Sequence, residues 1–264
     1  MTDAPIGIFD SGSGGLSIYE TLERELSNES YIYIGDHANL PYANKKAEEI
    51  HSRVFRLIEF FLARNVKAIV IACNTATVAG IELYRSRFPR VPILGVVPVV
   101  KTAAEVTKSN KILVLSTPFT TASEYQKKLI ASFATDKQVY SVGCPELVPL
   151  IEKGIISGHE VKLALQNTIE PYLEKGADVI VLGCTHYPFL LPTIRDILKK
   201  KDVLVLDSSG AVMRQLKRVL FHNGIEAKTQ HGTSEFFTTG EAETISKVSS
   251  FLLKKEIHFN YVNV

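Results

Sequence analysis

Two cysteines stand where a thiol could act as a proton-transfer group. Cys73 ends the apolar segment Ala68–Cys73 and Cys184 ends Asp178–Cys184, so each lies at the carboxyl end of a predicted buried strand. A free cysteine is often a small core hydrophobe. A thiol at the N-terminus of a following helix, however, has a lowered pKa and forms a reactive thiolate. His186, two residues after Cys184, is suited to be an acid–base partner.

Two opposed thiols suit the inversion of a stereocentre by proton exchange. A base must remove the proton from one face of the carbon, while an acid returns a proton to the other face. One group is then a thiolate and the other a thiol, and their roles reverse with the handedness of the substrate. Asp10 beside the first cysteine and His186 beside the second could shuttle the proton. Helix N-termini and backbone donors around a substrate carboxylate would stabilise the developing charge.

Other uses of cysteine fit the sequence less well. The chain has three cysteines, which form no even set of disulfide partners, and none belongs to a C-x-x-C pair. They lack the paired ligand spacing of a structural zinc site, so no metal is expected. Neither Cys73 nor Cys184 precedes the glycine-rich, arginine-closed loop that a cysteine phosphatase uses. Cys144, within Gly-Cys-Pro-Glu, is predicted to be structural.

A glycine-rich segment, Asp10–Gly15, follows the first predicted strand and precedes a predicted helix. Such a loop exposes backbone N–H groups toward an anion. It is neither a P-loop, because no Gly-Lys-Ser/Thr follows, nor a nucleophile elbow. Taken alone, it is more simply interpreted as a tight turn in which Asp10 or Ser11 caps the helix. The segment Asp207–Gly210 invites the same interpretation.

Short apolar, β-branched runs alternate with longer amphipathic segments, which is typical of an α/β protein with largely parallel strands. The predicted strands are Ile6–Asp10, Tyr31–Asp36, Ala68–Cys73, Pro92–Val97, Lys111–Ser116, Gln138–Gly143, Asp178–Cys184 and Val203–Asp207. The predicted helices include Leu16–Glu25, Lys45–Arg64, His159–Glu174, Pro192–Lys200 and Ala211–Phe221.

The strand ends recur at similar spacing in two halves of the chain, which indicates a duplicated unit. The landmarks are Asp10, Asp36, Cys73 and Val97 in one half, and Thr117, Cys144, Cys184 and Asp207 in the other. The predicted fold class is α/β with two pseudo-symmetric lobes, each with a mostly parallel sheet flanked by helices, and with the active site in the cleft between them. We expect lobe one to comprise residues 1–97 and 208–264, and lobe two to comprise residues 98–207.

The composition is ordinary for a globular protein, with 45% hydrophobic residues, 22% charged residues and a net charge of +2. So small a charge predicts neither a nucleic-acid partner nor binding to an anionic membrane. The first residues lack the basic region of a secretory signal, and no apolar stretch is long enough for a membrane helix. We therefore expect a cytoplasmic protein with reduced thiols.

A set of motifs runs in order from residue 7 to about residue 210. They are Gly7-Ile8-Phe9-Asp10-Ser11-Gly12 with Gly14-Gly15-Leu16, Leu40-Pro41-Tyr42, Ile71-Ala72-Cys73-Asn74-Thr75-Ala76, Leu147-Val148-Pro149-Leu150-Ile151-Glu152, and Leu182-Gly183-Cys184-Thr185-His186-Tyr187-Pro188. In these motifs the chain resembles bacterial glutamate racemases, of the aspartate/glutamate racemase family. The resemblance implies a two-lobed homodimeric enzyme that interconverts L- and D-glutamate for peptidoglycan synthesis and uses no pyridoxal phosphate or other cofactor.

The resemblance also implies roles for individual residues. Cys73 and Cys184 would be the two acid/bases, with Asp10 as the helper of Cys73 and His186 as the helper of Cys184. Glu152 would be a further acidic group in the site, although its sequence context alone suggests an exposed acid near a helix end. The residues that would contact substrate are Ser11, Pro41, Tyr42, Asn74, Thr75 and Thr185. Without the resemblance, Tyr42 would be interpreted as a surface aromatic after a turn proline.

The chain departs from the family pattern at two positions. Ala43 follows Pro-Tyr where the family commonly has glycine, and alanine would be strained if the backbone there had a positive φ. Phe119 stands where a glycine is expected, which leaves the roles of Thr117 and Thr120 open.

Two alternatives remain at this stage. One is a racemase for aspartate or another acidic amino acid, because the cysteine pair would be the same and only the length of the pocket would differ. The other is a non-catalytic regulatory binding protein on a racemase fold. The presence of every expected acid–base side chain favours an enzyme.

Overall fold

The strands of the chain form two separate sheets. The computed structural model describes residues 3–199, 201–228 and 231–264. The strands are β1 (Ile6–Asp10), β2 (Tyr31–Gly35), β3 (Ala68–Ile71), β4 (Ile93–Gly95), β5 (Lys111–Ser116), β6 (Gln138–Gly143), β7 (Val179–Gly183), β8 (Leu204–Leu206), β9 (Ser234–Thr238) and β10 (Phe259–Tyr261). The first sheet has the order β10-β9-β2-β1-β3-β4 and the second has the order β6-β5-β7-β8. Neighbouring strands in both sheets are parallel.

Helices connect the parallel strands, as crossover connections require. They are α1 (Leu16–Glu25), α2 (Ala47–Leu62), α3 (Asn74–Arg87), α4 (Val100–Val106), α5 (Pro118–Ala122), α6 (Glu124–Phe133), α7 (Leu147–Glu152), α8 (His159–Glu174), α9 (Leu191–Leu198), α10 (Ser209–His222) and α11 (Ala242–Leu253). Short 3₁₀ turns occur at His37–Asn39, Tyr42–Asn44 and Tyr187–Leu190. The α/β class with helix-flanked parallel sheets is confirmed.

The chain divides into two compact units. Unit one comprises Met1–Val96 and Ser209–Val264 and contains the first sheet, and unit two comprises Val97–Ser208 and contains the second. Each unit has its own buried core. In unit two, for example, Val100 of α4 packs in one cluster with Ile112 of β5 and Val179 of β7.

Four strands of each unit have the same arrangement. The order β2-β1-β3-β4 in the first sheet corresponds to β6-β5-β7-β8 in the second, if β1 is matched with β5. Cys73 then follows β3 and Cys184 follows β7, which occupy equivalent places in their sheets. The strand order therefore agrees with the duplication that the spacing of strand ends predicts.

The central strands are buried along their length because both faces of each sheet are covered. Every residue of β1, β2, β3 and β7 is buried, whereas the edge strand β6 is mostly half-buried. Removing one large apolar side chain from such a position exposes a cavity and costs about 2–5 kcal/mol. This burial fixes the position of each strand along its axis within the sheet, and so fixes the position of the residues at its carboxyl end.

The structure corrects several of the predicted bounds. Strands β2, β3, β4, β7 and β8 are each shorter than predicted, because one or more residues at their ends belong to the adjoining loops rather than to the ladder. The helix predicted at Pro192–Lys200 is α9, Leu191–Leu198, and Lys200 lies outside the described residues. Strands β9 and β10 were not predicted, because their sequences, Ser-Glu-Phe-Phe-Thr and Phe-Asn-Tyr, are not continuous apolar runs.

Within the three described ranges, none of the helices combines the length and the hydropathy needed to span a membrane.

Candidate active site

Cys73 lies at the start of α3, as its position after an apolar strand predicts. It is the N-cap residue of that helix, and its Sγ accepts a hydrogen bond from the backbone N–H of Ala76 at 3.5 Å. The Sγ also lies 3.6 Å from the hydroxyl oxygen of Ser11. The first turn of a helix carries unpaired N–H groups and a positive end of the helix dipole. This arrangement favours a negative charge on the sulfur of Cys73.

Asp10 ends β1 and is fully buried. Its Oδ1 accepts a hydrogen bond from the backbone N–H of Gly12 at 2.8 Å, an Asx-type turn within the loop. The N-cap of α1 is Gly15, so the interpretation of Asp10 or Ser11 as the cap residue is wrong. A Cβ on Gly15 would lie 2.7 Å from the Cβ of Asp10, which explains the need for glycine at this close approach.

Asn74 and Thr75 form the first turn of α3 directly after Cys73. Both side chains are buried, and the amide of Asn74 donates to the carbonyl oxygen of Val96 at 3.4 Å. The structure therefore brings Ser11, Asn74 and Thr75, three of the residues expected to contact substrate, to the neighbourhood of the Cys73 thiol in unit one.

Tyr42 is buried, so its interpretation as a surface aromatic is wrong. Tyr42 follows the cis peptide bond between Leu40 and Pro41. Its hydroxyl donates a hydrogen bond to Oδ2 of Asp36 at 2.6 Å. Burial and the nearby Asp36 carboxylate raise the pKa of Tyr42 well above its ordinary value. The phenol therefore stays protonated. It donates its hydrogen bond to Asp36, and its oxygen can still accept a hydrogen bond from another group.

Asp36, predicted only as the end of a strand, is a buried carboxylate with several hydrogen-bond donors. Arg53 of α2 donates to it through Nη2 at 2.8 Å and Nε at 3.1 Å. Burial opposes the charge, but hydrogen bonds from Arg53 and Tyr42 outweigh it and hold the pKa of Asp36 below its ordinary value. Asp36 and Arg53 are 17 residues apart, so no local pattern reveals their pairing.

Ala43 lies in the 3₁₀ turn Tyr42–Asn44 and is not among the residues with positive φ. Alanine is therefore unstrained at this departure from the family pattern.

Cys184 is part of a hydrogen-bonded chain of three side chains in unit two. Its Sγ lies 3.7 Å from Nδ1 of His186, and Nε2 of His186 lies 2.6 Å from Oε1 of Glu152. Burial lowers the pKa of His186, but its hydrogen bonds to Cys184 and Glu152 outweigh burial and raise that pKa well above its ordinary value. The imidazole is thus held as a cation between two groups that can carry negative charge.

Glu152 is the last residue of α7, and its side chain is only 13% exposed. Its interpretation as an exposed acid near a helix end is therefore wrong, although the position in the helix is as expected. Glu152 and His186 are 34 residues apart in sequence, so only the packing of α7 beside the loop after β7 brings them together. Thr185, between Cys184 and His186, is also buried.

Cys144, the third cysteine, is buried after β6, and its Sγ lies 3.8 Å from the carbonyl oxygen of Val142. Burial and the nearby Glu146 raise the pKa of the Cys144 thiol to about 12. It remains a neutral thiol at physiological pH, in accord with the structural role predicted for it.

Thr117 and Thr120, whose roles the sequence left open, belong to the first turn of α5. Thr117 is the N-cap and accepts from the backbone N–H of Thr120 at 3.3 Å. Phe119 lies in the same turn without positive φ. Within the described residues, no group of three or more His, Cys, Asp and Glu side chains is arranged to hold a metal ion.

Comparisons with known proteins identify the relatives of this chain. The sequence model of the family described as Asp/Glu/Hydantoin racemase matches residues 6–216. A glutamate racemase of Pseudomonas paraeruginosa is 40% identical over 94% of this chain and 94% of its own length. The crystal structure of a glutamate racemase isoform from Bacillus anthracis superimposes with a TM-score of 0.92 at 32% identity, covering 100% of this chain and 99% of the other.

A second crystal structure, of glutamate racemase from Francisella tularensis in complex with D-glutamate, superimposes with a TM-score of 0.87 at 32% identity, and covers 100% of this chain and 98% of the other. The fold, the motifs around both cysteines and these similarities lead to one conclusion. The chain belongs to the Asp/Glu/Hydantoin racemase family and is an isomerase related over nearly its whole length to glutamate racemases.

Proposed function

We propose that this enzyme interconverts L- and D-glutamate by proton transfer at the α-carbon, with Cys73 and Cys184 as the two acid/bases. The observation that carries the proposal is that one buried thiol follows the equivalent strand of each duplicated unit, β3 in one and β7 in the other. Each thiol has a neighbouring group that can donate a hydrogen bond to the sulfur, the backbone N–H of Ala76 beside Cys73 and the imidazole of His186 beside Cys184. The relatives named glutamate racemases, one of them in complex with D-glutamate, support glutamate as the substrate.

In the proposed reaction, the thiolate of one cysteine takes the α-proton, so that the C–H bond breaks and an S–H bond forms. The thiol of the other cysteine then donates its proton to the opposite face of the carbanionic carbon. The product has the opposite configuration, and the thiolate and thiol have exchanged places. The reverse reaction uses the same two steps with the roles of Cys73 and Cys184 exchanged, so neither residue is dedicated to acid or base.

The neighbours of each thiol are proposed to keep the required protonation state. The His186 imidazolium, held by Glu152 at 2.6 Å, stabilises negative charge on Cys184 and can return a proton to it. At Cys73 the N–H groups of α3 stabilise negative charge, and Asp10 is proposed to assist the proton transfer. No cofactor is proposed for the reaction.

The residues proposed to contact the substrate are divided between the two units of the chain. Ser11, Pro41, Tyr42, Asn74 and Thr75 lie in unit one, and Thr185 lies in unit two. Hydroxyl, amide and backbone donors suit the two carboxylates of glutamate. The hydroxyl of Tyr42 donates its hydrogen bond to Asp36, so its oxygen can accept one from the substrate ammonium.

We also propose the setting of this activity. The product D-glutamate would be consumed in peptidoglycan synthesis in the cytoplasm, and the working enzyme would be a homodimer. No membrane and no nucleic-acid partner is proposed.

The test is proton NMR of the purified enzyme with L-glutamate in D₂O, without added cofactor, and with L-aspartate in a parallel sample. Loss of the glutamate α-proton signal, with D-glutamate appearing on a chiral column, is the expected result. Exchange confined to aspartate would assign the racemase to the other acidic amino acid. A folded protein with reduced thiols that exchanges neither α-proton would contradict the proposal.

A further inference from the structure

Two adjacent threonines at the carboxyl end of β9 are connected by hydrogen bonds to two loops of the proposed substrate site in unit one. These are the glycine-rich loop (residues 10–15) and the loop that carries Tyr42 (residues 36–44). Thr238 is the last residue of β9 and Thr239 follows it, and both side chains are buried. Neither residue belongs to a motif that carries the family resemblance, and both lie outside residues 6–216, the part of the chain that the family model matches.

The position of β9 explains why these threonines reach the site. β9 pairs in parallel with β2, with Thr238 opposite Gly35, and the backbone N–H of Thr239 donates to the carbonyl oxygen of Gly35 at 3.1 Å. The carboxyl ends of β9, β2 and β1 therefore lie side by side at one edge of the sheet. In parallel α/β sheets this is the edge at which ligands bind.

Thr238 connects to the glycine-rich loop through a histidine. Its Oγ1 lies 2.9 Å from Nδ1 of His37, and Nε2 of the same ring lies 3.0 Å from Oγ of Ser13. Ser13 is buried in the loop that also carries Ser11, the neighbour of the Cys73 thiol. The imidazole thus spans from the end of β9 to the loop after β1.

Thr239 connects to the other loop through Asp36. Its hydroxyl donates to Oδ1 of Asp36 at 2.8 Å and accepts from the backbone N–H of Ala38 at 3.1 Å. The second oxygen of Asp36 accepts from the hydroxyl of Tyr42 at 2.6 Å. One hydroxyl therefore holds both the carboxylate that orients Tyr42 and the backbone that leads to it.

We propose that Thr238 and Thr239 are positioning residues for racemisation, which fix the glycine-rich loop and the Tyr42 loop in the geometry that binds the substrate. The proposal rests on the proposed function. The threonines act through His37 and Asp36 and need not touch the substrate. A displaced loop weakens substrate binding, because the contacting groups must be held in place before the substrate arrives.

Thr239→Val is the sharpest test, because valine keeps the shape of threonine but removes the hydroxyl. Arg53 still pairs with Asp36 through two hydrogen bonds in this variant, so the fold is expected to survive. Thr239→Ser restores the hydroxyl. Ser250→Ala is the matched control, because the hydroxyl of Ser250 also bonds a backbone N–H and carbonyl, both of Ile257, in the same C-terminal segment.

We expect Thr239→Val to raise KM for glutamate roughly five-fold and to leave kcat within about two-fold, because a group that orients the ground state is loosened. Thr239→Ser and Ser250→Ala should remain close to the wild type. In a double-mutant cycle, Thr239→Val and Tyr42→Phe should be non-additive, since Thr239 acts through Asp36 on Tyr42. Additive effects, or a serine variant as impaired as the valine variant, would overturn the proposal.

Amide hydrogen–deuterium exchange without substrate supplies a reading that does not depend on activity. Residues 36–44 should exchange faster in Thr239→Val than in the wild type or Ser250→Ala, and residues 11–15 should do so in Thr238→Val. If the wild type fails to racemise glutamate, the proposed function fails, and the exchange data alone decide the positioning role. Unchanged exchange in both valine variants would overturn it.

Discussion

The surroundings of Cys73 and Cys184 differ although the two cysteines follow equivalent strands. Cys73 caps α3, and its sulfur accepts from the backbone N–H of Ala76. Cys184 is followed by a 3₁₀ turn, and its sulfur lies beside a buried His186 that is held by Glu152. Equivalent positions in the two sheets thus place different donors beside the sulfur, a backbone N–H at Cys73 and an imidazole at Cys184.

The two donors respond differently to pH. Backbone N–H groups and the helix dipole do not titrate, so their effect on Cys73 is the same at every pH at which the protein is folded. The effect of His186 on Cys184 depends on its proton. Because its hydrogen bonds raise the pKa of His186, the imidazolium persists below that raised pKa and is lost as the pH rises through it.

Thermodynamics limits how this asymmetry can appear in the kinetics. Two enantiomers in water have equal free energy, so kcat/KM must be equal in the two directions for the wild type and for every variant. Damage to either thiol therefore lowers both values of kcat/KM together. A difference between the two sites can appear only in kcat and KM taken separately, or in their dependence on pH.

The largest effects are expected from Cys73→Ala and Cys184→Ala. Each removes one of the two proposed acid/bases, and each should lower racemisation by about 10³-fold or more in both directions. The measurement is circular dichroism of the substrate from each enantiomer, with far-UV spectra to verify folding. Full activity in either folded variant would contradict the two-thiol mechanism, and the two cysteines would then have no shared role to compare.

Glu152→Gln and Asp10→Asn should separate the two sites by pH. The glutamine carries no negative charge, so the pKa of His186 falls and the alkaline limb of the kcat profile moves to lower pH. We expect a loss on the order of 100-fold near neutral pH. Asp10→Asn should also reduce activity but should leave the position of that limb unchanged, because Asp10 belongs to the other unit. An equal shift in both variants would contradict the assignment.

A smaller effect is expected from Ser11→Ala. The hydroxyl of Ser11 lies 3.6 Å from the Cys73 sulfur, and its loss should lower kcat/KM roughly five-fold in both directions. Steady-state kinetics with each enantiomer measures this change. Values of kcat/KM that differ between the two directions would reveal an error in the assay rather than a property of the site.

The smallest effect is expected from Cys144→Ser. Its thiol has a pKa raised to about 12 by burial, so it neither ionises nor transfers protons at neutral pH. Activity should stay within about two-fold of the wild type, and iodoacetamide should label wild-type Cys144 much more slowly than Cys184. Mass spectrometry of the labelled peptides checks the second expectation. Rapid labelling of Cys144 would contradict the expectation that its thiol is un-ionised, and Cys144 would then have to be considered as a third reactive thiol.

Much of the fold followed from local sequence. Apolar β-branched runs predict the eight strands β1–β8, because strands covered on both faces need such residues. The spacing of their ends indicates the duplication, and the strand orders of the two sheets agree with it. The strands β9 and β10 were missed, since Ser234–Thr238 and Phe259–Tyr261 mix polar with aromatic residues and owe their place to pairing with each other and with β2.

The sequence by itself determined that two thiols follow equivalent strands and that a helix begins at the first of them, because strand ends and helix starts depend on neighbouring residues. Only the tertiary structure decided that Glu152 holds His186, that Arg53 and Thr239 hold Asp36, and that Asp36 holds Tyr42. These pairs join residues brought together by packing rather than by periodicity. A buried charge must find a partner, but which partner it finds depends on the elements that pack against it.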